Sequence, residues 1–195
     1  MANELSGRKI AILAADGFEE VELTKPEKAL EDAGAKTTVV SIKPGKIQGM
    51  NHADKGDTVA VDQTLGDAEP QDFDALMIPG GLMNPDALRS NEEALEFVRH
   101  FFREGKPVAA ICHAPWVLID AGVIRGRTVT SWPAIKTDVR NAGGNWVDRE
   151  VVVDNGLVTS RKPDDIPAFN EKMIEEFCEG RHHGTSGTAS SELET

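Results

Sequence analysis

A cysteine and a histidine stand side by side at the end of an apolar run, within the stretch Val108 to Trp116. The four residues before Cys112 are typical of a buried strand, and the segment after His113 is typical of a helix. Unpaired N–H groups at the start of a helix lower the pKa of a nearby thiol and favour the nucleophilic thiolate. Taken alone, the stretch favours an inert buried cysteine. A reactive Cys112 at a strand–helix turn becomes the preferred interpretation when two further loops converge on the same place.

His113 has a less direct interpretation. Adjacent residues on a regular helix do not face each other, so a simple Cys112–His113 pair requires a turn that departs from helical geometry. Otherwise His113 needs another group to hold its ring, or it only packs or caps.

Two further loops carry residues that suit the same chemistry. Gly80 and Gly81 follow an apolar run, and the amides of residues without Cβ can approach a reacting carbonyl closely, as an oxyanion hole requires. An ordinary tight turn would use the same glycines. The acidic segment 16–20 follows the first apolar run of the chain. If all three loops end parallel strands of one sheet, they meet at a single edge.

The remaining patterns predict the elements that would position these loops. Apolar or β-branched runs indicate strands over 8–14, 37–42, 73–79, 107–111 and 128–131. Helical spacing indicates helices over 18–33, 91–103, 114–121, 133–142 and 164–177, with a break near Pro26 where Thr24 would cap a new helix. Segments 44–66 and 151–160 are predicted to contain hairpins, the second closed by Asn155-Gly156. Alternating strands and helices predict an α/β fold with a mainly parallel sheet covered on both faces.

Length and composition limit the class of protein. The 195 residues fit one domain, predicted over 1–179, followed by a polar tail over 180–195 that we expect to be flexible. A formal net charge of −12 repels phosphate polyanions, which disfavours nucleic acid as a partner. No apolar run is long enough for a membrane span and no secretory signal is visible, so we expect a cytoplasmic protein with two free cysteines.

The sequence predicts no cofactor and no metal site. Neither a phosphate-binding P-loop nor a dinucleotide-binding glycine fingerprint is present. Cys178, His182 and His183 could suggest a metal, but histidines in a flexible tail lack a preformed geometry and supporting groups. Cys178 is interpreted as a packing residue or a bystander.

Three ordered motifs, Asp16–Leu23, Ile78–Gly81 and Ala109–Pro115, resemble the DJ-1/PfpI superfamily, in particular its PfpI-like branch of protease I and general stress proteins. The similarity extends over residues 8 to 178. It implies a flavodoxin-like three-layer sandwich in which Cys112 is the nucleophile at a sharp strand–helix elbow. It also implies that Glu19 is the acid that hydrogen-bonds the cysteine, often as a protonated carboxyl. Glu20 and Glu22 are then expected on the helix surface.

The resemblance implies further site residues. Asp86 corresponds to an acid that reaches His113 from a neighbouring subunit, which implies a homodimer or a higher homo-oligomer; without that partner, Asp86 is interpreted as a helix N-cap. Gly81, with its neighbour Gly80, and Ala114 are expected to supply backbone donors. Trp132 would line the pocket and narrow it without offering a proton.

The function that follows is a stress-response enzyme with a cysteine nucleophile, a hydrolase or lyase acting on small reactive carbonyls or early glycation adducts. Glyoxalase and deglycase chemistry share a thiolate that attacks an electrophilic carbonyl, followed by proton transfer through the acid or the histidine. Two alternatives stay open. One is an intracellular cysteine peptidase, and the other is a non-enzymatic stress protein that senses oxidation through Cys112.

Overall fold

The computed structural model describes residues 4–182 of the chain. Its strands are β1 (Lys9–Leu13), β2 (Phe18–Glu19), β3 (Lys36–Ser41), β4 (Lys46–Asn51), β5 (Asp54–Ala60), β6 (Gln63–Thr64), β7 (Ala75–Ile78), β8 (Val108–Ile111), β9 (Thr128–Val129), β10 (Asn145–Trp146), β11 (Val151–Asp154) and β12 (Leu157–Ser160). Its α-helices are α1 (Glu20–Asp32), α2 (Met83–Arg89), α3 (Glu92–Arg103), α4 (Pro115–Asp120), α5 (Lys136–Asn141) and α6 (Ile166–Glu179).

Seven strands form the central sheet in the order β11-β12-β8-β7-β1-β3-β6. Every neighbouring pair in it is parallel except β11 and β12. The mainly parallel sheet predicted from the sequence is thus confirmed. Because β1, β7 and β8 are adjacent and parallel, the loops that follow them leave the sheet at one edge.

Alternate residues of each strand pack into two separate cores, one on each face of the sheet. In β1, Ala11 and Leu13 contribute to the core with Leu88, Phe101 and Leu118, from α2, α3 and α4. Ile10 and Ile12 contribute to the opposite core with Leu30 of α1 and Phe169 of α6. Successive side chains of a strand point to opposite faces, so a fully apolar strand implies helices on both sides. This gives the expected three-layer sandwich.

Two helices differ from the sequence prediction. Helix α1 continues through Pro26 without a new cap at Thr24, whose hydroxyl instead donates to the Glu20 carbonyl at 2.9 Å. Pro26 removes one helical hydrogen bond, but its ring is buried, and this burial offsets part of the loss. Helix α2 was not predicted. Because it begins at Met83, Asp86 lies inside the helix, and its interpretation as an N-cap is wrong.

Both predicted hairpins are present. Strands β4 and β5 pair in antiparallel fashion within the predicted segment, and β2 pairs with β4, which brings the hairpin tip beside the acidic loop after β1. The β11–β12 hairpin turns at Asn155 and Gly156, with φ values of 47° and 81°. Positive φ at both central residues matches the type I′ turn that Asn-Gly favours.

The end of the described chain folds back on the sheet. After α6, the His182 N–H donates to the Gly105 carbonyl at 2.8 Å. The predicted flexible tail over 180–195 is therefore packed as far as His182, and residues 183–195 lie outside the described residues. No helix within residues 4–182 is long and apolar enough to cross a lipid bilayer.

Candidate active site

Cys112 occupies a strained turn directly after β8. Its φ is 65°, in the left-handed region that residues with a Cβ rarely adopt, at a cost of about 1–2 kcal/mol. Two hydrogen bonds hold the turn: the Cys112 N–H donates to the Ser160 carbonyl at 3.0 Å, and the Trp132 N–H donates to the Cys112 carbonyl at 2.8 Å. The predicted elbow is therefore present, and hydrogen bonds with β12 and with the loop after β9 maintain its strained conformation.

The carboxyl group beside the thiol belongs to Glu22. Its side chain is fully buried, with 0% relative exposure, and its Oε2 accepts a hydrogen bond from the Gly80 N–H at 3.0 Å. Burial, reinforced by the negative charge of Glu19, raises the pKa of Glu22 to about 8, although a hydrogen bond with the Cys112 thiol opposes the shift. Glu22 therefore holds a proton at neutral pH and can donate it toward the sulfur.

The expected surface position of Glu22 is thus wrong, and a sequence signal could have shown this. Glu22, Pro26 and Leu30 follow one another at intervals of four residues and are all buried on one face of α1. Residues spaced by four lie on the same side of a helix. Helical periodicity therefore places Glu22 on the face that carries the core leucine.

Glu19 lies in the same pocket but makes a different contact. Its Oε2 accepts a hydrogen bond from the His52 N–H, at the tip of the β4–β5 hairpin, at 3.1 Å. Glu19 belongs to β2, which pairs with β4, so the strand directs this carboxylate toward the hairpin. The contact with Cys112 that the resemblance gave to Glu19 is made by Glu22, one helical turn later.

The imidazole of His113 is the base adjacent to the thiol. Burial and the charge of Glu22 raise the pKa of Cys112, whereas hydrogen bonds from the Gly81 and His113 N–H groups lower it. Burial outweighs the N–H groups, so the lowered thiol pKa expected from the sequence is not found. The Sγ atom lies 3.2 Å from Nδ1 of His113, and burial lowers the pKa of that imidazole. His113 is therefore a neutral base beside a thiol that keeps its proton in the resting site.

Aromatic packing holds the His113 ring. Its centroid lies 5.2 Å from that of Trp116 and 5.8 Å from that of Trp132, which stacks on it with an interplanar angle of 25°. Within residues 4–182 no carboxylate hydrogen-bonds this ring, and Asp86 lies exposed on α2. The Asp86–His113 contact, which requires a second subunit, stays a prediction.

Two of the predicted backbone donors already form hydrogen bonds within the chain. The Ala114 N–H donates to the Ile111 carbonyl at 3.0 Å, and the Gly80 N–H donates to Glu22. Neither is free to bind a substrate oxygen, so these two assignments are corrected. Gly80 is needed for space, because a Cβ there would lie 2.6 Å from the Cβ of Cys112. The N–H groups directed at Sγ are those of Gly81 and His113.

A buried amide, which the sequence analysis did not single out, connects two of the loops. Oδ1 of Asn84 accepts a hydrogen bond from the Ala15 N–H at 2.7 Å, and its Nδ2 donates to the Pro79 and Gly80 carbonyls at 2.8 and 3.0 Å. Asn84 thereby fixes the loop after β1 against the loop after β7. A single asparagine in a short polar segment gives no sequence signal for such a role.

The site opens into a cavity of about 200 Å³ that contains Cys112, Glu22 and His113. Leu82, Trp132 and Pro163 supply apolar wall, as the sequence predicted for Trp132. A larger cavity of about 530 Å³ between α1 and α6 is lined by no cysteine or histidine, so size alone does not identify the reactive site.

Comparison with known proteins gives consistent matches. The model of the DJ-1/PfpI family matches residues 8–176. "Deglycase PYRAB04690" of Pyrococcus abyssi is 48% identical over 166 residues, which cover 85% of this chain and 97% of that protein. "Putative cysteine protease YraA" of Bacillus subtilis is 44% identical over 167 residues, covering 86% and 96%. The crystal structure of Drosophila melanogaster DJ-1beta has a TM-score of 0.80 at 30% identity and covers 91% of each chain.

Proposed function

The chain belongs to the DJ-1/PfpI family, and we propose that it is a cysteine-dependent enzyme that acts on small reactive carbonyls or early glycation adducts. The observation that carries this proposal is the geometry of one cavity. A thiol, a protonated carboxyl and a neutral imidazole line the same cavity. The cavity volume of about 200 Å³ is smaller than the roughly 300–1,000 Å³ of common ligand pockets. A space of this size suits a substrate of a few heavy atoms or the end of a modified side chain.

The first step is addition of sulfur to the carbonyl carbon. As the Cys112 Sγ–carbon bond forms, the π electron pair moves onto the carbonyl oxygen, and the thiol proton moves to Nδ1 of His113 at 3.2 Å. The N–H groups of Gly81 and His113 stabilise the negative charge near the sulfur, and Glu22 protonates the oxygen. Sulfur and carbonyl thus give a neutral hemithioacetal.

The later steps depend on the substrate. For a 2-oxoaldehyde, transfer of hydrogen from the first to the second carbon gives a thioester, and water then cleaves its carbon–sulfur bond to release a 2-hydroxy acid and the free thiol. For a glycation adduct that is a hemiaminal, the sulfur bonds to the carbinol carbon as the carbon–nitrogen bond breaks, and the thiol proton ends on the leaving amine. This gives the same hemithioacetal, which then follows the steps of the 2-oxoaldehyde. Deprotonated Glu22 and protonated His113 are the groups available to shuttle these protons.

The same thiol could serve a peptidase or an oxidation sensor. A peptidase must accommodate an extended chain on both sides of the scissile bond, for which the small cavity offers little room. Sensing by oxidation needs only an oxidant at the sulfur and no acid or base beside it, whereas Glu22 and His113 both lie against Cys112. The small cavity and these two groups favour chemistry on a small carbonyl that enters the cavity.

A substrate panel tests the proposal. The wild-type chain is assayed with methylglyoxal, a glycated amino acid and a set of unmodified peptides, and intact mass is measured in parallel after mild peroxide treatment. We expect turnover of at least one of the first two substrates and no cleavage of the peptides. Peptide cleavage without carbonyl turnover would indicate the peptidase. Selective oxidation of Cys112 without any turnover would indicate the sensor.

A further inference from the structure

A second cluster of ionisable groups lies at the opposite edge of the sheet from Cys112. The carboxyl oxygens of Glu176 and Glu179 and a ring nitrogen of His182 all lie within 4.8 Å of one another. His182 sits beside Gly105 and Gly156, which precede β8 and β12, whereas Cys112 follows β8. The cluster is therefore separate from the candidate active site.

Two facing atoms of this cluster are buried without a hydrogen-bond partner. Nε2 of His182 and Oε2 of Glu176 lie 3.1 Å apart, yet neither forms a hydrogen bond with any described residue. Glu176 is only 8% exposed, so its Oε2 is shielded from water and faces the imidazole of His182. A cation between the two groups would satisfy both atoms.

The backbone is shaped to receive His182. A Cβ at position 156 would lie 2.7 Å from Cδ2 of the His182 ring, and a Cβ at Gly105 would lie 2.1 Å from the His182 carbonyl oxygen. Gly105 also accepts the hydrogen bond from the His182 N–H at 2.8 Å. Side chains at these two positions would exclude the histidine, so its place beside Glu176 is built into the fold.

We propose that Glu176, Glu179 and His182 form a binding site for a divalent transition-metal ion, with Zn²⁺ as the best match. Imidazole and carboxylate ligands suit zinc, whose ligand atoms at about 2.0–2.2 Å in a tetrahedron lie roughly 3.3 Å apart. The 3.1 Å between Nε2 and Oε2 is close to that spacing. Glu179 is exposed and can turn toward the ion, and water would complete the coordination.

The ion would act as a clamp on the chain beyond α6. Glu176 and Glu179 lie in the last turns of α6, whereas His182 follows Gly180, whose φ of 82° ends the helix. Coordination would tie this segment to α6 while the Gly105 contact ties it to the sheet. Because a metal bound only by the folded state stabilises that state, zinc should raise the thermal stability of the protein. The proposed enzymatic activity does not depend on this site.

Zinc titration of the whole protein tests the proposal. Calorimetry with ZnCl₂ should show one ion per chain, and His182→Gln and Glu176→Gln should each weaken binding at least about tenfold. Glu175→Gln is the matched control, because Glu175 lies on the same helix and pairs with Lys172. Cys178→Ala and His183→Gln control for the nearby thiol and the next histidine. The three control variants should bind zinc as the wild type does.

Thermal stability and a Co²⁺ spectrum provide a second test in case a variant of a metal-binding residue folds poorly. Zinc should raise the Tm of the wild type and of Glu175→Gln but not that of His182→Gln, and Co²⁺ should give a visible spectrum without a thiolate charge-transfer band. Absence of zinc binding, unchanged affinity in His182→Gln, or loss of binding in Cys178→Ala or His183→Gln would each overturn the proposal.

Discussion

The chemistry of the candidate site depends on where a small number of protons lie. Glu22 keeps its proton because burial raises its pKa to about 8, while His113 is neutral because burial lowers its pKa. The Cys112 thiol thus lies between a neutral base, His113, to which its proton moves as sulfur adds to the carbonyl, and an acid, Glu22, which protonates the carbonyl oxygen. The sequence identified Cys112 and His113 from residue type and position. It did not identify Glu22, because the prediction placed this residue on the helix surface, although its spacing of four from Pro26 and eight from Leu30 puts it on the buried face of α1.

Replacing the buried acid should impair the reaction far more than replacing its neighbour. Glu22→Gln keeps the shape of the side chain but removes the transferable proton, so we expect kcat/KM for methylglyoxal to fall about a hundredfold or more. Glu19→Gln is the matched control and should cost less than about tenfold, since Glu19 contacts the hairpin rather than the sulfur. Equal losses in the two variants would refute the assignment to Glu22.

Glu22 should also make stability depend on pH. Its pKa rises from 4.5 to about 8 on folding, so the folded protein retains a proton that the unfolded chain releases. This contribution to stability is complete below the unfolded pKa and is lost as pH rises toward the folded one. As pH rises from 4.5 to about 8, the free energy of unfolding of the wild type should decline relative to that of Glu22→Gln. Urea denaturation of both proteins at these two pH values measures the difference, and a difference that does not change with pH would contradict the raised pKa.

At the scale of elements, the site is an assembly of loops that leave one sheet edge. The strands and the elbow were predictable, because apolar runs mark β1, β7 and β8, and a cysteine follows the last of these. Helix α2 was not predictable from its short polar sequence, since its place is fixed by tertiary contacts of Asn84 with the neighbouring loops. Backbone donors were misassigned for a similar reason. Whether the N–H of Gly80 or Ala114 is free depends on partners that only the folded chain reveals.

Close packing of the glycine loop gives a prediction for stability. Gly81 has a φ of 82°, and a Cβ there would lie 2.4 Å from the Gly17 carbonyl oxygen. We expect Gly81→Ala to lower the free energy of unfolding by about 3 kcal/mol through strain and crowding together. Gly122→Ala separates the two causes, because Gly122 has a φ of 75° with open space around it. That variant should lose only about 1 kcal/mol in the same urea titration, and equal losses would exclude crowding at Gly81.

At the scale of the whole molecule, the parallel sheet brings to one edge residues that are far apart in sequence. Glu22, Gly81 and Cys112 meet there because β1, β7 and β8 are neighbours. Fold class and sheet edge could therefore be predicted from the alternation of elements. The orientation of His113 could not, because it depends on stacking with Trp132. No acid within residues 4–182 hydrogen-bonds this ring, and Asp86 of a second subunit is the acid that we predict for it.

Subunit mixing tests whether Asp86 supplies that acid. If Asp86 of one subunit orients His113 of another, Asp86→Ala and Cys112→Ala should each be impaired alone. Equal mixing with subunit exchange into dimers should restore about a quarter of the wild-type activity, because half the dimers are mixed and each then has one complete site. Assays before and after exchange measure the recovery. Failure to recover, with exchange verified by native mass spectrometry, would exclude the arrangement.

The central claim is that Cys112 is the nucleophile for small carbonyl substrates. Turnover of methylglyoxal by the wild type, Cys112→Ala and Cys178→Ala measures this most directly, since Cys178 is the other cysteine of the chain and lies exposed at the end of α6. We predict that Cys112→Ala falls to the rate of the uncatalysed reaction while Cys178→Ala retains full activity. Full turnover by Cys112→Ala would contradict the account.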